Sequence, residues 1–445
     1  MEKTYRPYEP DQLLLLPPSL RDWVPEDHLV HFLSEVVDQL DLSAITRVYE
    51  EDLRGYPPYH PRMMTKVLLY AYTIGVPSSR RIAQRCEEDV AFRVLSANNT
   101  PDFRTISTFR QRHLEALQAL FLQVLRCGQQ AGLVKLGVIA LDGTKVQANA
   151  SKHKAMSYGR MQPEVARLEQ EIRTLLAQAE QTDAAEDRRY GTDRRGDELP
   201  AELARRETRL QTIRTAMAAL EAEARAAPPE PTPPAPRRRG RPRKQRSGSP
   251  PANAQRNFTD PDSRIMRNAD RAFVQAYNAQ VAVESRSQVI VACAVTNQAA
   301  DAPHALPLID AVIANTRQTP RRVLGDAGYW SEANATGLVA RRIEPFLAPE
   351  KVKHGAPPAP PPRGRIPQHL GPRERMHRKL RTKRGRALYA RRKGIVEPVF
   401  GLIKRARGFR QFLLRGLAKV QAEWALICTG HNLLKLYRSG RWTAA

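Results

Sequence analysis

The sequence predicts a mixed α/β fold, in which a sheet flanked by helices follows an all-α N-terminal domain and is interrupted by a helical hairpin and a disordered insertion. Three observations predict it. Residues 1–130 carry apolar side chains at helical spacing, whereas residues 138–141 and 276–295 form apolar runs typical of strands. Between these runs, residues 163–220 carry narrow apolar stripes flanked by charge, as helices of a hairpin do.

The composition restricts the class of partner. Lys and Arg number 72 against 46 Asp and Glu, which gives a formal net charge of +26. This imbalance favours a polyanion, either nucleic acid or a membrane surface. No apolar run approaches the length of a membrane-spanning helix, and the short run at 13–16 is stopped by prolines, so we expect neither a membrane partner nor a signal peptide. Nucleic acid is the expected partner.

The cysteines indicate a reducing compartment, because they are scattered and form no CxxC pair. They are Cys86, Cys127, Cys293 and Cys428. Cys428 and His431 lie one helical turn apart, a spacing that we interpret as helix packing rather than metal ligation. We therefore expect a cytoplasmic protein.

The N-terminal domain, residues 1–130, contains an arginine-rich helix after a glycine turn. A helix predicted from Met63 stops at Gly75, and Ser78 is the expected N-cap of the next helix. That next helix begins with Arg80 and Arg81. The pattern is compatible with helix-turn-helix DNA binding, and equally with an ordinary helical packing unit. A further helix is predicted from 105 to 125.

The stretch from Lys135 to Thr144 predicts a buried strand that ends at Asp142 and Gly143. A carboxylate at the end of a strand is held rigidly and can be aimed into a cleft. The alternative is that Asp142-Gly143 is only a hairpin turn, for which this dipeptide is common. Residues 131–160 are predicted to be the first part of the domain that contains the sheet.

The insertion divides into two parts. Residues 161–226 are predicted to form an antiparallel helical hairpin, and residues 227–256 a disordered, basic, proline-rich linker with almost nothing to bury. Arg239 and Arg241 flank Gly240 in this linker and resemble an AT-hook, which lays arginines in a narrow minor groove. A solvated basic linker explains the same residues equally well.

The second part of this sheet-containing domain is predicted at 257–445. A hairpin at 276–295 leads to a helix at 304–315 and then to a short strand that delivers Asp326. A helix capped by Ser331 and a strand at 343–347 follow. A basic, proline-rich connection is expected from Lys351 to Arg386, before a helical region from Leu388 that contains Glu397.

Eight short blocks, in this order, carry a resemblance to a known family. They are Tyr59-His60-Pro61, Arg80-Arg81-Ile82, Asp89-Val90-Ala91-Phe92-Arg93, Pro101-Asp102-Phe103-Arg104-Thr105, Leu141-Asp142-Gly143-Thr144-Lys145, Asn257-Phe258-Thr259-Asp260-Pro261, Gly325-Asp326-Ala327-Gly328-Tyr329 and Val396-Glu397-Pro398-Val399-Phe400-Gly401-Leu402-Ile403-Lys404. The chain resembles the DDE transposases of bacterial insertion sequences, in the group with an InsH-type helical N-terminal domain. The resemblance implies an RNase H-like mixed sheet flanked by helices.

The resemblance implies a catalytic and metal-binding triad of Asp142, Asp326 and Glu397. It also implies two Mg²⁺ ions, or Mn²⁺ in their place, because hard cations take oxygen ligands and two ions can activate a nucleophile and stabilise a leaving oxygen. Taken alone, Asp326 is compatible with a helix cap and Glu397 with a solvated helix charge.

The last block also resembles the family's tyrosine-arginine-glutamate-lysine signature, through Tyr389, Arg392, Glu397 and Lys404. A continuous helix would put Glu397 and Lys404 on one face, where Lys404 could hold a DNA phosphate. The spacing from arginine to glutamate is one residue longer than usual, so Lys393 is an alternative to Arg392. Pro398 predicts that Glu397 lies at a helix start or kink.

The function implied by the resemblance is binding of the ends of an insertion sequence, followed by metal-dependent DNA cleavage and strand transfer. The implied partners are double-stranded DNA, as terminal inverted repeats and as target, and a second copy of the chain in a homodimer. We expect the protein to be associated with the nucleoid. The alternative is an inactive or domesticated transposase that only binds DNA.

Overall fold

The structure is a computed structural model that describes residues 19–50, 57–190, 201–226, 249–268, 270–350, 360–362, 364–365, 367 and 369–442. Side chains are described in these ranges except at 179–190 and 201–202. The predicted DNA-binding arginines of the linker, Arg239 and Arg241, lie outside the described residues.

The described N-terminal region is helical, as its periodicity predicts. After a 3-10 turn at Leu20–Trp23, its helices are α1 (Leu29–Gln39), α2 (Ser43–Glu50), α3 (Pro61–Ile74), α4 (Ser79–Glu88), α5 (Val90–Ser96), α6 (Phe103–Arg112) and α7 (Leu114–Gln130). The single helix predicted from 105 to 125 is therefore wrong, since α6 and α7 meet at His113. The His113 backbone is non-helical, and its ring Nε2 lies 2.9 Å from the Tyr49 hydroxyl. This tertiary contact overrides a locally continuous apolar pattern.

The end of α3 is fixed against the C-terminal part of the chain. Gly75 ends the helix in the left-handed conformation, with φ of +88°. A Cβ at this position would lie 2.9 Å from the Arg407 Cα, so a side chain has no room there. The Arg407 guanidinium donates to the Tyr72 carbonyl at 2.6 Å. The helical N-terminal region is thus packed directly on the segment that follows the last catalytic block.

A mixed sheet forms the centre of the molecule. In chain order the strands are β1 (Val138–Gln147), β2 (Ala155–Ser157), β3 (Gln255–Asn257), β4 (Arg264–Arg267), β5 (Phe273–Glu284), β6 (Ile290–Thr296), β7 (Arg322–Gly325) and β8 (Glu344–Leu347). The main sheet has the order β4-β5-β1-β7-β8, and β6 pairs with β5 beyond the stretch taken by β4. β1 is antiparallel to β5 and parallel to β7, which is parallel to β8. β2 and β3 form a separate two-stranded sheet.

Asp142 lies inside β1, not at its end. It is paired with Val281, and Gly143 with Gln280, in the antiparallel ladder with β5. Both the predicted strand end and the alternative of a hairpin turn are therefore wrong. The long partner strand β5 continues the ladder past Gly143, because its backbone groups need partners as far as Ala276, which pairs with Gln147.

Helices surround this sheet. They are α10 (Ala305–Thr316), α11 (Glu332–Ala340), α12 (Pro372–Arg381), α13 (Lys383–Gly401) and α14 (Leu417–Ser439), and a π-helical turn at Leu402–Ala406 follows α13. α14 packs against α3, α7 and β6, and its Trp424 side chain is fully buried. One hydrophobic core consequently runs from the N-terminal helices into the sheet.

The predicted connection from 351 to 386 is wrong in its second half, which is helical. Pro372 begins α12 at a position where proline is favoured, and Glu374 caps the helix by accepting from the Gly371 N–H at 3.3 Å. Met376 is buried, and Lys379 forms an ion pair of 3.1 Å with Glu344 on β8. The many charged residues of this segment led to the prediction of a loop, because the buried Met376 and the ion pair of Lys379 cannot be recognised in the sequence.

The helical hairpin is confirmed and lies outside the main sheet. It consists of α8 (Tyr158–Tyr190) and α9 (Ala201–Ala226). Its own small core contains Met161 and Leu168 from α8 and Ile213 and Leu220 from α9. The strands β2 and β3 join it to the rest of the molecule.

Candidate active site

Two aspartates from different halves of the chain lie next to each other in the sheet. The parallel register of β1 and β7 pairs Ala140 with Leu324. Asp142 and Asp326 each lie two residues further along, so continuing this register places them side by side. Neighbouring strands are about 4.8 Å apart, so the two carboxylates share one small region.

The Asp142 carboxylate is held in an environment that disfavours its charge. Its side chain is 20% exposed, and burial raises its pKa to about 6, a rise to which the neighbouring Asp326 and Asp301 carboxylates contribute. One cation opposes the rise, because Arg392 forms an ion pair of 3.3 Å with Asp142. The other carboxylate oxygen accepts from the Gly143 N–H at 2.9 Å. A bound cation would stabilise the charged form of a carboxylate that is disfavoured in this way.

Asp326 begins a 3-10 turn directly after β7. Its Oδ1 accepts from the Gly328 N–H at 2.9 Å, which fixes the carboxylate beside the end of the strand. The cap interpretation weighed for Asp326 is thus partly correct, although the capped element is this short turn at Ala327–Tyr329. The helix α11 has its own cap, since Ser331 accepts from the Asn334 N–H at 3.0 Å.

A third carboxylate, Asp301, belongs to the same group and was missed in the sequence. It lies between β6 and α10, and its Oδ1 accepts from Asn278 at 2.7 Å and from Gln280 at 2.8 Å. The Lys145 ammonium also reaches this oxygen, at 3.3 Å. In the sequence, Asp301 precedes Ala302-Pro303 and has the pattern of a helix cap. Its one available signal was its position after a strand, which it shares with Asp326.

Glycines allow the acids to approach one another. A Cβ on Gly328 would lie 2.8 Å from Asp301 Oδ2 and 3.0 Å from Asp326 Oδ1. A Cβ on Gly143 would lie 2.8 Å from Asp301 Oδ1. Real Cβ atoms do not tolerate such distances, so Asp301 occupies space that exists because both positions are glycine.

Glu397 lies within α13 and is exposed. The charged groups that shift the Asp142 pKa are Arg392, Asp326 and Asp301, and Glu397 is not among them. The structure therefore brings Asp142 and Asp326 together but places Glu397 apart from them.

The predicted helix start at Glu397 is wrong, because α13 begins at Lys383 and continues through Pro398. A kink at Pro398 stays a prediction. Proline removes the donor for the carbonyl four residues earlier, and here the Gln288 side chain supplies a donor to the Gly394 carbonyl at 2.9 Å. This replacement lets the helix pass through the proline.

Two basic residues of the signature contact β1. Arg392 lies on Asp142, and its neighbour Lys393 is exposed. Lys404 donates to the Thr144 hydroxyl and, at 2.8 Å, to the Lys145 carbonyl. Burial lowers the pKa of Lys404 to about 8. Lys404 belongs to the π-helical turn, so the continuous α-helix expected between Glu397 and Lys404 ends at Gly401.

Tyr389 precedes Arg392 by one helical turn. Its pKa is raised, mainly by burial and further by the nearby Asp326 and Asp142, and lowered in part by Arg392. Its ring therefore borders the same acidic group. Of the signature residues, Tyr389 and Arg392 face the acids. Lys404 contacts β1 further along, at Thr144 and Lys145.

The comparisons with known proteins identify the family. Residues 18–112 match a family model described as a transposase domain (DUF772), and residues 246–433 match one described as a transposase DDE domain. The chain belongs to the DDE transposases of insertion sequences. No curated protein and no solved structure is significantly similar to it.

The matched regions of this transposase leave out β1 and the helical hairpin, which lie between residues 112 and 246. The proposed role of Asp142 as a catalytic acid therefore depends on the sheet register and not on a family match. The helical hairpin is inserted into the RNase H-like domain of the transposase between β2 and β3. Its family acts on DNA through DNA cleavage and transfer, and generally uses divalent metal ions.

Within the described ranges, no group of three or more His, Cys, Asp or Glu side chains is arranged to hold a metal ion. Asp142, Asp326 and Asp301 nevertheless supply the hard carboxylate oxygens that Mg²⁺ prefers. No described helix is long and apolar enough to cross a membrane. Cys428 and His431 are buried in α14, where His431 lies 2.9 Å from the Gln288 carbonyl.

The predicted DNA-binding arginines of α4 occupy different environments. Arg80 stacks on Phe103, with its guanidinium carbon 5.1 Å from the ring centre. Arg81 is exposed. Ser78 occupies the N-cap position, but its side chain makes no capping hydrogen bond.

Proposed function

We propose that this transposase binds the ends of its insertion sequence and cleaves and transfers DNA strands with the help of divalent cations bound by Asp142 and Asp326. One observation carries the proposal, namely the side-by-side placement of Asp142 in β1 and of Asp326 directly after the parallel strand β7, with few compensating cations. Carboxylates in such an arrangement repel one another, and a divalent cation between them relieves the repulsion.

The proposed cofactor is Mg²⁺, as two ions, with Mn²⁺ as a functional substitute. The donor set is composed of carboxylate oxygens, which suits both metals. When bound, the ions supply an activated hydroxyl nucleophile and stabilisation of the leaving oxygen. Asp142 and Asp326 would hold them, and Arg392 would exchange its contact with Asp142 for a DNA phosphate.

Two residues are candidates for the third acid. The family resemblance assigns Glu397, which lies on α13 between Arg392 and Lys404, the two residues that contact β1. Asp301 is the candidate from geometry, because its carboxylate approaches Asp326 across Gly328. We propose Glu397 as the metal ligand, and Asp301 as the residue that positions β5 and the loop after β7.

DNA binding is proposed to involve Tyr389, Arg392 and Lys404 at the acids, with Lys393 exposed beside them. Cleavage at both ends of an element requires two sets of acids, and each chain carries one set. We therefore propose that two copies of the chain act together on paired ends.

The test is a cleavage assay with purified protein, Mg²⁺ and DNA that carries the ends flanking its own gene. We expect Asp142→Asn, Asp326→Asn and Glu397→Gln each to lower cleavage on the order of a thousandfold, because a catalytic metal supplies several kcal/mol of transition-state stabilisation. Asp310→Asn is the matched control. Asp310 is exposed and forms its ion pair with Arg341, at 2.7 Å, away from β1.

The same variants should still shift end DNA in a gel, since removing a carboxylate reduces repulsion of phosphate. Normal cleavage by Asp142→Asn or Asp326→Asn would contradict the proposed site. Normal cleavage by Glu397→Gln with loss in Asp301→Asn would assign the third acid to Asp301 instead. Binding without cleavage by the wild-type protein would favour the alternative of an inactive, DNA-binding transposase.

A further inference from the structure

A pocket of about 400 Å³ lies where the N-terminal helices meet the C-terminal segment. Its walls come from the start of α4, from α6 and from one residue of the loop before α14. The lining residues are Ser78, Ser79, Arg80, Phe103, Arg104, Ser107, Thr108, Arg110 and Leu413. Three arginines and four hydroxyl groups therefore face one small space that contains no carboxylate.

Arg110 is the buried part of this pocket. It is 5% exposed, and its guanidinium donates to the Pro77 carbonyl at 2.9 Å and to the Ser79 hydroxyl at 3.3 Å. Its Nε is buried and has no hydrogen-bond partner among the described residues. No described carboxylate forms a direct ion pair with Arg110. The buried Glu423 carboxylate interacts with Arg110 electrostatically, but its hydrogen bonds come from the Leu413 and Leu414 N–H groups. A buried cation without a directly paired anion is costly, and an anion bound in the pocket would lower that cost.

Two further guanidinium groups stand at the mouth of the pocket. Arg80 and Arg104 are exposed and lie over the Phe103 ring, with guanidinium carbons 5.1 and 5.6 Å from its centre. Neither forms an ion pair within the described part of the chain. The aromatic ring holds both charges in place without neutralising them.

The pocket is also the N-terminus of a ten-residue helix, α4. The first N–H groups of a helix have no partner within the helix, and the Ser78 side chain does not cap this one. These N–H groups and the helix dipole favour an anion at the same point as the arginines.

We propose that this pocket is a binding site for one backbone phosphate of the DNA on which the transposase acts. The proposal rests on the proposed function and adds to it a contact remote from the acids. It differs from both interpretations weighed for α4, helix-turn-helix binding and ordinary helix packing, because it assigns a phosphate contact to the start of that helix. Phosphate contacts fix the position of DNA but do not read its sequence.

The pocket is connected to the catalytic strand by a short segment. Leu413 lines the pocket, and the adjacent Phe412 N–H donates to the carbonyl of Gln147, the last residue of β1, at 2.9 Å. Five residues separate Gln147 from Asp142 along the strand, which corresponds to roughly 17 Å. DNA lying along this path would reach the pocket about five nucleotides or more from the scissile bond.

The experiment measures binding of end DNA and of unrelated DNA by fluorescence anisotropy over a series of salt concentrations. The full-length variants are Arg80→Gln, Arg104→Gln and the double variant, whose exposed side chains should leave the fold intact. The matched control is Arg85→Gln on the same helix, because Arg85 already pairs with Asp89 at 2.9 Å. A second arm adds inorganic phosphate to the wild-type protein and to the double variant.

We expect about tenfold weaker binding by the double variant on both DNAs, as for loss of a charge-assisted contact. The slope of log K against log salt should become shallower by about one. Arg85→Gln should bind as wild type, and inorganic phosphate should compete only weakly, as expected for one phosphate of a polymer.

Four results would overturn the proposal. One is an unchanged salt slope and affinity in the double variant while the wild type binds end DNA, which would leave the proposed function intact. Another is a loss confined to end DNA, which would indicate base reading by α4. Inorganic phosphate binding without any effect of the variants on DNA would assign the pocket to a free phosphate. Failure of the wild type to bind end DNA at all would overturn this proposal together with the proposed function.

Discussion

The acids of the helical hairpin and the acids of the sheet have opposite surroundings. In the hairpin, Glu164 is in contact with Arg167 and Arg209, and Glu169 with Arg214. In the sheet, Asp142 has one arginine partner but lies beside Asp326. The pKa of Glu164 is lowered, first by its hydrogen bond from Arg167, whereas burial and like charge raise the pKa of Asp142 to about 6.

The difference separates structural acids from acids that require a ligand. Arg209 and Arg214 on the facing helix neutralise Glu164 and Glu169, so these pairs hold α8 and α9 together at the surface. The backbone places the sheet acids close to one another, and the glycines beside them leave room for this approach. Carboxylates whose protein cations do not offset burial and like charge are the ones expected to take a further cation.

The largest effect expected from this comparison is a gain in stability on Asp142→Asn. The folded pKa of Asp142, about 6, lies above its ordinary value of 3.8. The folded state therefore binds the proton more tightly, and its stability falls as pH rises from about 4 to about 6 and stays low above. The shift corresponds to on the order of 3 kcal/mol at neutral pH. Urea unfolding in EDTA should show a higher midpoint for Asp142→Asn at pH 7.5.

The gain should shrink at pH 4.5, where Asp142 is protonated in the folded state. Asp310→Asn serves as control and should give no gain, since Asp310 is exposed and paired with Arg341. An Asp142→Asn variant less stable than wild type at pH 7.5 would mean that Arg392 more than compensates the buried charge.

A smaller effect is expected from Gly328→Ala. The added methyl group would lie 2.8 Å from Asp301 and 3.0 Å from Asp326, so it should push these carboxylates apart. Displacement of reacting groups by about 1 Å can lower a rate about a hundredfold. Cleavage of end DNA should fall by that order while DNA binding is retained. Gly394→Ala is a suitable control, because no atom lies within 4 Å of a Cβ at that position.

The smallest effect is expected from Glu169→Gln in the hairpin. The ion pair with Arg214 is partly exposed, and such pairs contribute about 0–1 kcal/mol. The variant should cleave end DNA at the wild-type rate and lose little stability in urea unfolding. A loss of cleavage would mean that the hairpin acids take part in the reaction. It would contradict the distinction between structural acids in the hairpin and cation-binding acids in the sheet.

Much of the fold could be predicted from the sequence, because the relevant signals are local. The hairpin strands β5 and β6, the helices α8 and α9, and the cap of α11 by Ser331 all follow from periodicity or capping. The extension of β1 past Asp142 could not be predicted, since it depends on the length of the partner strand β5. The passage of α13 through Pro398 depends on Gln288, more than a hundred residues earlier in the chain.

The candidate site was predictable only in part for the same reason. Asp142 and Asp326 carry strand signals, and the structure places them side by side, whereas Glu397, the third acid of the implied triad, is exposed on α13. The triad itself stays a prediction. Asp301 has the sequence pattern of a cap, and its role emerges only from contacts with Asn278, Gln280 and two glycines. The pocket at α4 likewise requires Leu413, which no local pattern connects with Arg80.

The central claim is that the sheet acids bind a divalent cation, and thermal unfolding with increasing Mn²⁺ tests it most directly. A cation that binds only the folded state raises its stability, by about 2.7 kcal/mol at a hundredfold excess over Kd. We predict that Mn²⁺ raises the melting temperature of the wild type and of Glu169→Gln equally, and leaves that of Asp142→Asn unchanged. An equal rise in Asp142→Asn, or no rise in the wild type, would contradict the account.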